Sequence, residues 1–286
     1  MKRAPTFLIL LLAALAIGGC APETLQMSEV FSPAPKDTTG NLGENVEEQP
    51  GDIYFKLAIE YVKRGDYVLA LQKAKRGLEI SPASPLGHNV IALIYEQVGE
   101  VGPAEYHFKQ AIGYNPRDSY VRNAYGAFLC KNGRYPEAAQ EFQTALGNPL
   151  YQTPEVALTN AGVCAFKEGD YSRAEGHLRQ ALQRNGRLPS ALYHMAEIAA
   201  ARNEFAKAKG YLDRYHAIQR HTAKSLALGV RIARGLGDKN AAASYEMSLR
   251  SNFPDSEDLH ALDRPVERLQ EPAYHSPYSI ERSITR

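Results

Sequence analysis

The chain has 286 residues, of which 44% are apolar, and its 33 Lys and Arg residues nearly balance its 32 Asp and Glu residues. This balance argues against the strong positive field of a typical nucleic-acid-binding protein. The apolar content is ordinary for a globular chain. Composition therefore indicates a globular protein with a normal core and no electrostatic preference for nucleic acid.

The first twenty residues are predicted to be a processing signal. Lys2 and Arg3 give a positively charged start, and residues 7–17 form an apolar run without charge. The run is about half of the ~20 residues that a membrane-spanning helix needs, so it is typical of a signal-peptide core. It is followed by Gly-Gly and then Cys20, an ending that resembles a bacterial lipobox. An ordinary secretory peptide with an incidental cysteine is the alternative.

On the lipobox interpretation, residues 1–19 are a lipoprotein signal peptide and Cys20 is the lipidated first residue of the mature protein. Its acyl chains anchor the protein to a membrane, at about 0.8 kcal/mol per buried methylene. The residue after the cysteine is Ala21 rather than Asp. By resemblance to bacterial lipoproteins, this absence of Asp favours sorting to the outer membrane, on its periplasmic face.

Two segments flank the predicted folded body. Residues 20–50 are rich in Pro and lack apolar periodicity, so they are predicted to form a flexible, lipidated tether. Residues 257–286 combine Pro with mixed charges and are predicted to be a disordered tail. The folded domain is therefore expected to span residues 51–256.

A motif repeats through this domain with a period close to 34 residues. Six marker alanines are spaced 34, 34, 36, 34 and 34 residues apart: Ala70, Ala104, Ala138, Ala174, Ala208 and Ala242. Each of them follows a Gly or Asn by five positions. Each unit offers two stretches with apolar residues at helical spacing, separated by the Gly or Asn that ends the first helix. This pattern resembles the tetratricopeptide repeat. The expected fold is an all-α, right-handed α-solenoid of six such repeats.

The longer spacing between Ala138 and Ala174 marks an irregular connection. It falls in residues 148–154, a turn-rich stretch with two Pro. We expect three repeats, a lengthened loop, and three further repeats. Stacking is expected to continue across the loop, because the flanking helices keep their apolar faces.

The concave face of the array is the predicted partner-binding groove. First helices line this face in repeat arrays, and an exposed apolar patch there would mark a partner site. The family's groove positions, carried over to the first three repeats, give these candidates: Phe55, Ile59, Val62, Leu86, Asn89, Leu93, Tyr120 and Asn123. In the later repeats the same positions include Glu197, Lys224, Arg231 and Arg234. Two alternatives remain open: the N-terminal segment covers these residues, or the register is off by one.

Cys130 and Cys164 are predicted to form a disulfide. They lie near the ends of first helices in neighbouring repeats, and the compartment that the lipobox indicates is oxidising. The alternative is a pair of buried thiols, since Cys packs well as a small apolar residue.

No catalytic or cofactor motif is present. The sequence lacks His-Glu-x-x-His, Gly-x-Ser-x-Gly, a phosphate-binding glycine loop and paired-cysteine metal spacing. His216 and His221 are the closest histidine pair, and we assign them to packing or surface roles on separate helices. We therefore expect no enzymatic activity, no cofactor, no metal and no small-molecule substrate.

Nearly the whole mature chain resembles one family of repeat scaffolds, the type IV pilus biogenesis/stability lipoproteins or PilF/PilW pilotins. The stretches that carry this resemblance are residues 121–129, 225–233 and 242–245, and paired cysteines occur in part of that family. The resemblance implies an outer-membrane scaffold that binds the pilus secretin subunit and promotes its localisation and multimerisation. The alternative is another envelope scaffold, serving outer-membrane protein assembly or cell-wall machinery.

Overall fold

Thirteen α-helices make up the regular structure of residues 49–262, which are the residues that the computed structural model describes. The first twelve form six pairs: α1 (Asp52–Lys63) and α2 (Tyr67–Ile80), α3 (Pro85–Gln97) and α4 (Val101–Tyr114), α5 (Ser119–Lys131) and α6 (Tyr135–Leu146), α7 (Pro154–Glu168) and α8 (Tyr171–Arg184), α9 (Pro189–Ala201) and α10 (Phe205–His216), α11 (Ala223–Leu236) and α12 (Lys239–Asn252). A short helix, α13 (Glu257–Ala261), follows. The predicted all-α array of six helix pairs is confirmed.

The turn inside each pair explains the recurring Gly or Asn. Gly65 has φ = +77° and Asn203 has φ = +61°, and the four other turn glycines are also left-handed. Gly, and to a lesser degree Asn, adopts this conformation at low cost. The residue that follows often caps the second helix, as when the carboxylate of Asp66 accepts a hydrogen bond from the Leu69 amide at 3.1 Å.

The marker alanines lie where the two helices of a pair approach most closely. All six are buried, and the position four residues later carries a large buried side chain in four repeats: Phe108, Phe142, Leu178 and Leu212. Contacts are close enough to require glycine on the facing helix. A Cβ atom on Gly126 would lie 2.8 Å from the ring of Phe142, and one on Gly162 would lie 2.6 Å from Leu178.

Neighbouring repeats stack through their first helices. The first helices of successive repeats contact one another, whereas each second helix packs mainly against its own first helix and the first helix of the next repeat. First helices therefore form the inner layer, as in other helical repeat arrays. Stacking continues across the lengthened loop, where Tyr151 is buried and its ring meets that of Tyr120 edge-on at 5.1 Å.

A disulfide joins the two first helices that flank this loop. Cys130 on α5 and Cys164 on α7 are bonded, with their Cα atoms 5.7 Å apart. Both side chains are buried. The bond therefore braces the stack at the longest connection between repeats within the described residues.

The boundary expected at residue 257 is too early. Ser256 caps α13 by accepting a hydrogen bond from the Leu259 amide at 3.3 Å, and Leu259 packs with Leu226 and Leu249. The helix forms because it covers the apolar end of the last repeat, so the folded domain extends to at least Leu262.

The remaining N-terminal and C-terminal predictions lie outside the described residues. These are the signal peptide, the lipidated Cys20, the tether up to residue 48, and the tail from residue 263. Within residues 49–262, no helix has the length and apolar character needed to cross a membrane.

Candidate protein-binding surface

Half of the predicted groove residues are not available to a partner. Phe55, Val62, Leu93 and Asn123 are buried in the array, so their assignment to an exposed groove is wrong. Ile59, Asn89 and Tyr120 are half-buried, and Leu86 is 39% exposed. The concave face therefore offers a partner fewer apolar side chains than the repeat positions predict.

Phe55 is buried because small residues around it leave a space that its ring fills. A Cβ atom on either Gly77 or Gly87 would lie 2.3 Å from the Phe55 ring. Ala74 stands at the position that carries Phe108, Phe142, Leu178 or Leu212 in the next four repeats. The first repeat thus takes its large core side chain from the first helix instead of the second.

Asn123 is buried because it bonds to the next repeat. Its Oδ1 atom accepts a hydrogen bond from Nδ2 of Asn160 on α7 at 3.0 Å, and both side chains are buried. A buried amide pair of this kind contributes to the register of the stack rather than to binding.

Exposed apolar side chains are concentrated in the first two repeats instead. Among the described residues, twelve large apolar side chains are exposed, and nine of them lie between residues 53 and 114. These nine are Ile53, Leu57, Val68, Ile80, Leu86, Val98, Val101, Tyr106 and Tyr114. They are distributed over all four helices of these two repeats and one turn. Exposed apolar side chains that adjoin one another typically mark an interaction site.

Sequence reasoning missed Ile53 and Leu57, which are 70% and 41% exposed. Their spacing of four residues places them on one face of α1. In an interior repeat the preceding repeat covers the corresponding face, but α1 begins the described array. The terminal position of α1 was therefore the sequence signal that predicts exposure of Ile53 and Leu57. Terminal repeats of soluble arrays usually present a polar outer face, so apolar side chains at this position are unusual. Leu86 and the half-buried Ile59 are further apolar side chains on the first helices of these two repeats. We use the name N-terminal apolar surface for the apolar side chains that these two first helices expose, Ile53, Leu57 and Leu86, together with Ile59.

Two histidines of the second repeat, His88 on α3 and the half-buried His107 on α4, pack against each other. The Nδ1 atoms of His88 and His107 are 2.9 Å apart, and His88 Nε2 lies 3.1 Å from the Pro82 carbonyl oxygen. In the neutral pair, His88 Nε2 donates to Pro82 and His107 Nδ1 donates to His88. Burial lowers the pKa of both histidines, that of His107 to about 4.

His216 and His221 lie at the opposite end of the array. Their ring centroids are 4.1 Å apart, and burial lowers the pKa of His216 to about 4. His216 ends α10, and His221 lies in the loop before α11 rather than on a separate helix as expected. Over residues 49–262, no three His, Cys, Asp or Glu side chains are grouped so as to hold a metal ion.

Comparison with known proteins agrees with the repeat architecture. Tetratricopeptide repeat family models match residues 89–152 and 165–228. The type IV pilus assembly protein PilF of Pseudomonas aeruginosa is 29% identical over 209 residues, which cover 73% of this chain and 83% of PilF.

Two solved structures cover most of the described array. A structure of Pseudomonas aeruginosa PilF superposes with a TM-score of 0.69 at 28% identity, covering 73% of this chain and 95% of that one. The crystal structure of PilW, a widely conserved type IV pilus biogenesis factor, superposes with a TM-score of 0.69 at 33% identity, covering 74% of this chain and 97% of that one. These relationships support a role in type IV pilus biogenesis. The chain belongs to the PilF/PilW family of tetratricopeptide repeat proteins for type IV pilus biogenesis.

Proposed function

We propose that this protein is an outer-membrane lipoprotein scaffold that binds the pilus secretin subunit and promotes its localisation and multimerisation. The observation that carries the proposal is the concentration of nine exposed large apolar side chains in the first two repeats. Membership in a pilus biogenesis family supports the pathway, and the lipobox supports the anchor.

The N-terminal apolar surface is the proposed secretin contact. Covering a Leu or Ile side chain completely is worth about 1.5–3 kcal/mol. Ile53 and Leu57 already project from the array, so a partner helix or strand could cover them without unfolding any part of it. The surface also lies at the end of the array from which the chain continues toward Cys20.

In this proposal the lipid holds the scaffold at the membrane, and the repeats bind the secretin subunit. Anchoring the scaffold at the outer membrane confines a captured subunit to a thin layer next to that membrane. Confinement raises the effective concentration of subunits for one another. Promotion of multimers then requires no catalytic step, because the scaffold changes only where subunits meet.

Site-specific crosslinking in cells tests the contact. A photo-crosslinking amino acid placed at Leu57 or Leu86 is expected to capture the secretin subunit. The matched control is the same amino acid at Gln180, an exposed position on the second helix of the fourth repeat. Capture of an outer-membrane assembly or cell-wall protein in place of the secretin would favour the alternative scaffold and contradict the proposal.

Replacement of Cys20 tests the anchor. The Cys20→Ser variant lacks the thiol that would carry the lipid, so it is expected to leave the membrane fraction and appear in the soluble periplasmic fraction. A variant that still sediments with outer membranes in high salt would show that lipid is not the anchor.

A further inference from the structure

The concave side of the last repeat differs in chemistry from the N-terminal apolar surface. Helix α11 carries Lys224, Arg231 and Arg234 and has no acidic residue. Arg220 and His221, in the turn that leads into α11, are also exposed. Helix α11 is therefore basic, although the chain as a whole is nearly neutral. The elements packed against it carry acidic residues, Glu246 on α12 and Glu257 and Asp258 on α13.

Arg231 occupies the inner position of the sixth repeat. The corresponding positions in the five earlier repeats hold Ile59, Leu93, Ala127, Val163 and Glu197. First helices form the inner layer of this array, and this is one of the repeat family's groove positions. Leu93 and Ala127 are buried there, whereas Ile59, Val163 and Glu197 are half-buried. Arg231 is half-buried, and its Nε atom is buried without a hydrogen-bond partner in the described residues.

Two acidic groups on helices next to α11, Glu197 and Glu246, are already paired with other side chains. Glu197, at the same position of the fifth repeat, accepts a hydrogen bond from the Tyr193 hydroxyl at 3.1 Å and pairs with His194 Nδ1 at 2.9 Å. Arg234 differs from Arg231 because it pairs with Glu246 on α12 at 3.1 Å. Within residues 49–262, Arg231 is thus the α11 guanidinium that forms no ion pair.

An unpaired, partly buried guanidinium is unfavourable. Arg remains charged at any physiological pH, and removing that charge from water costs free energy unless a counter-charge compensates it. A carboxylate that binds both hydrogen-bonding edges of the guanidinium provides this compensation. The missing component of the site is therefore an anionic group that enters from the groove.

We propose that the concave face of the sixth repeat binds an acidic segment of a protein partner, with Arg231 as its anchor. A peptide segment fits because the inner layer of a repeat array accommodates extended or helical chains. The recessed position does not suit a bilayer, which approaches a protein over a broad, flat surface. The scaffold then has two contacts of different chemistry, apolar at its first repeats and basic at its last. This second contact does not depend on which partner the first repeats bind.

Fluorescence anisotropy with the full-length protein tests the proposal. The probe is a labelled, short peptide rich in Asp and Glu, and a Lys-rich peptide of the same length is the control probe. We expect the acidic peptide to bind, binding to weaken with added salt, and the Lys-rich peptide not to bind.

Variants locate the site. Arg231→Gln is expected to weaken acidic-peptide binding by at least about ten-fold, because it leaves the bound carboxylate without its partner. Arg184→Gln removes the same charge from an exposed position on α8 and is expected to leave binding unchanged. Arg231→Lys keeps the charge but loses the bidentate geometry, so an intermediate affinity is expected. This conservative variant also serves if Arg231→Gln does not fold.

Three results would overturn the inference. These are absence of acidic-peptide binding, equal losses in the Arg184 and Arg231 variants, and binding only to vesicles that contain phosphatidylglycerol. Leu86→Asp, which alters the N-terminal apolar surface, is expected to bind the acidic peptide normally. Its behaviour separates failure of this site from failure of the proposed secretin contact.

Discussion

Replacing Phe55 by Ala is expected to destabilise the first repeat, not to remove a binding contact. The Phe55 side chain is 0% exposed, and a buried Phe covers about 150–250 Å², or about 4–6 kcal/mol at 25 cal/mol per Å². Measured Phe→Ala substitutions in cores cost about 3–5 kcal/mol. Gly77 and Gly87, which face the ring, have no side chains to fill the cavity, so we expect a cost near 4 kcal/mol.

This loss should be local. Because each repeat contacts only its neighbours, an end repeat can unfold without the rest of the array. Hydrogen exchange is therefore the appropriate assay, and 4 kcal/mol corresponds to about a thousand-fold faster exchange of protected α1 and α2 amides. Ile53→Ala is the matched control on the same helix. Its side chain is 70% exposed, so exchange should change by less than about three-fold, corresponding to 0.5 kcal/mol. Unchanged protection in Phe55→Ala would refute the burial of this ring.

Further predictions concern pH, the disulfide and the amide pair. The free energy of unfolding should fall from about pH 7 to about pH 5, because the unfolded chain binds protons near pH 6.5 whereas burial holds the folded pKa of His107 at about 4. Urea unfolding should show a slope of up to about 1.4 kcal/mol per pH unit for such a histidine, and no slope would contradict this. Thiol labelling of the denatured, unreduced protein should leave Cys130 and Cys164 unmodified, and reduction should cost about 3–4 kcal/mol for the loop they close; two labelled thiols would exclude the bond. Asn160→Ala should cost about 1–3 kcal/mol by leaving the Asn123 carbonyl buried without a donor, and additivity in a double-mutant cycle with Asn123→Ala would contradict that pairing.

Local signals made the fold predictable. The period of the marker alanines and the Gly or Asn in each turn depend on contacts within one helix pair, and the structure confirms both. The lengthened connection was also visible, because it changes the spacing between Ala138 and Ala174. Because such features recur in every repeat, the assignment of helices in one repeat can be checked against the same positions in the others.

The surface was less predictable because it depends on contacts between repeats. Whether Phe55 faces the groove depends on the missing side chains of Gly77 and of Gly87, which belongs to the next repeat. The hydrogen-bond partner of Asn123 lies 37 residues away. The rule that assigns groove positions describes an average repeat, and the first repeat departs from it.

The ends of the array follow different rules from its interior. Ile53 and Leu57 occupy a face that a preceding repeat would cover, so the repeat pattern alone predicts burial. The last helix, α13, is too short for a periodic signal and forms because Leu259 covers the end of α11 and α12. The exposure of side chains in a terminal repeat therefore depends on which faces lack a neighbouring repeat.

The most direct test of the proposed scaffold is the amount of secretin multimer in the outer membrane of cells that carry Leu57→Asp together with Leu86→Asp. Both side chains are exposed, so the variant should retain wild-type stability and abundance. We predict that secretin multimers are lost and that the subunit remains monomeric. Undiminished multimers, in cells where the stable variant replaces the wild-type protein, would contradict the assignment of the N-terminal apolar surface as the secretin contact.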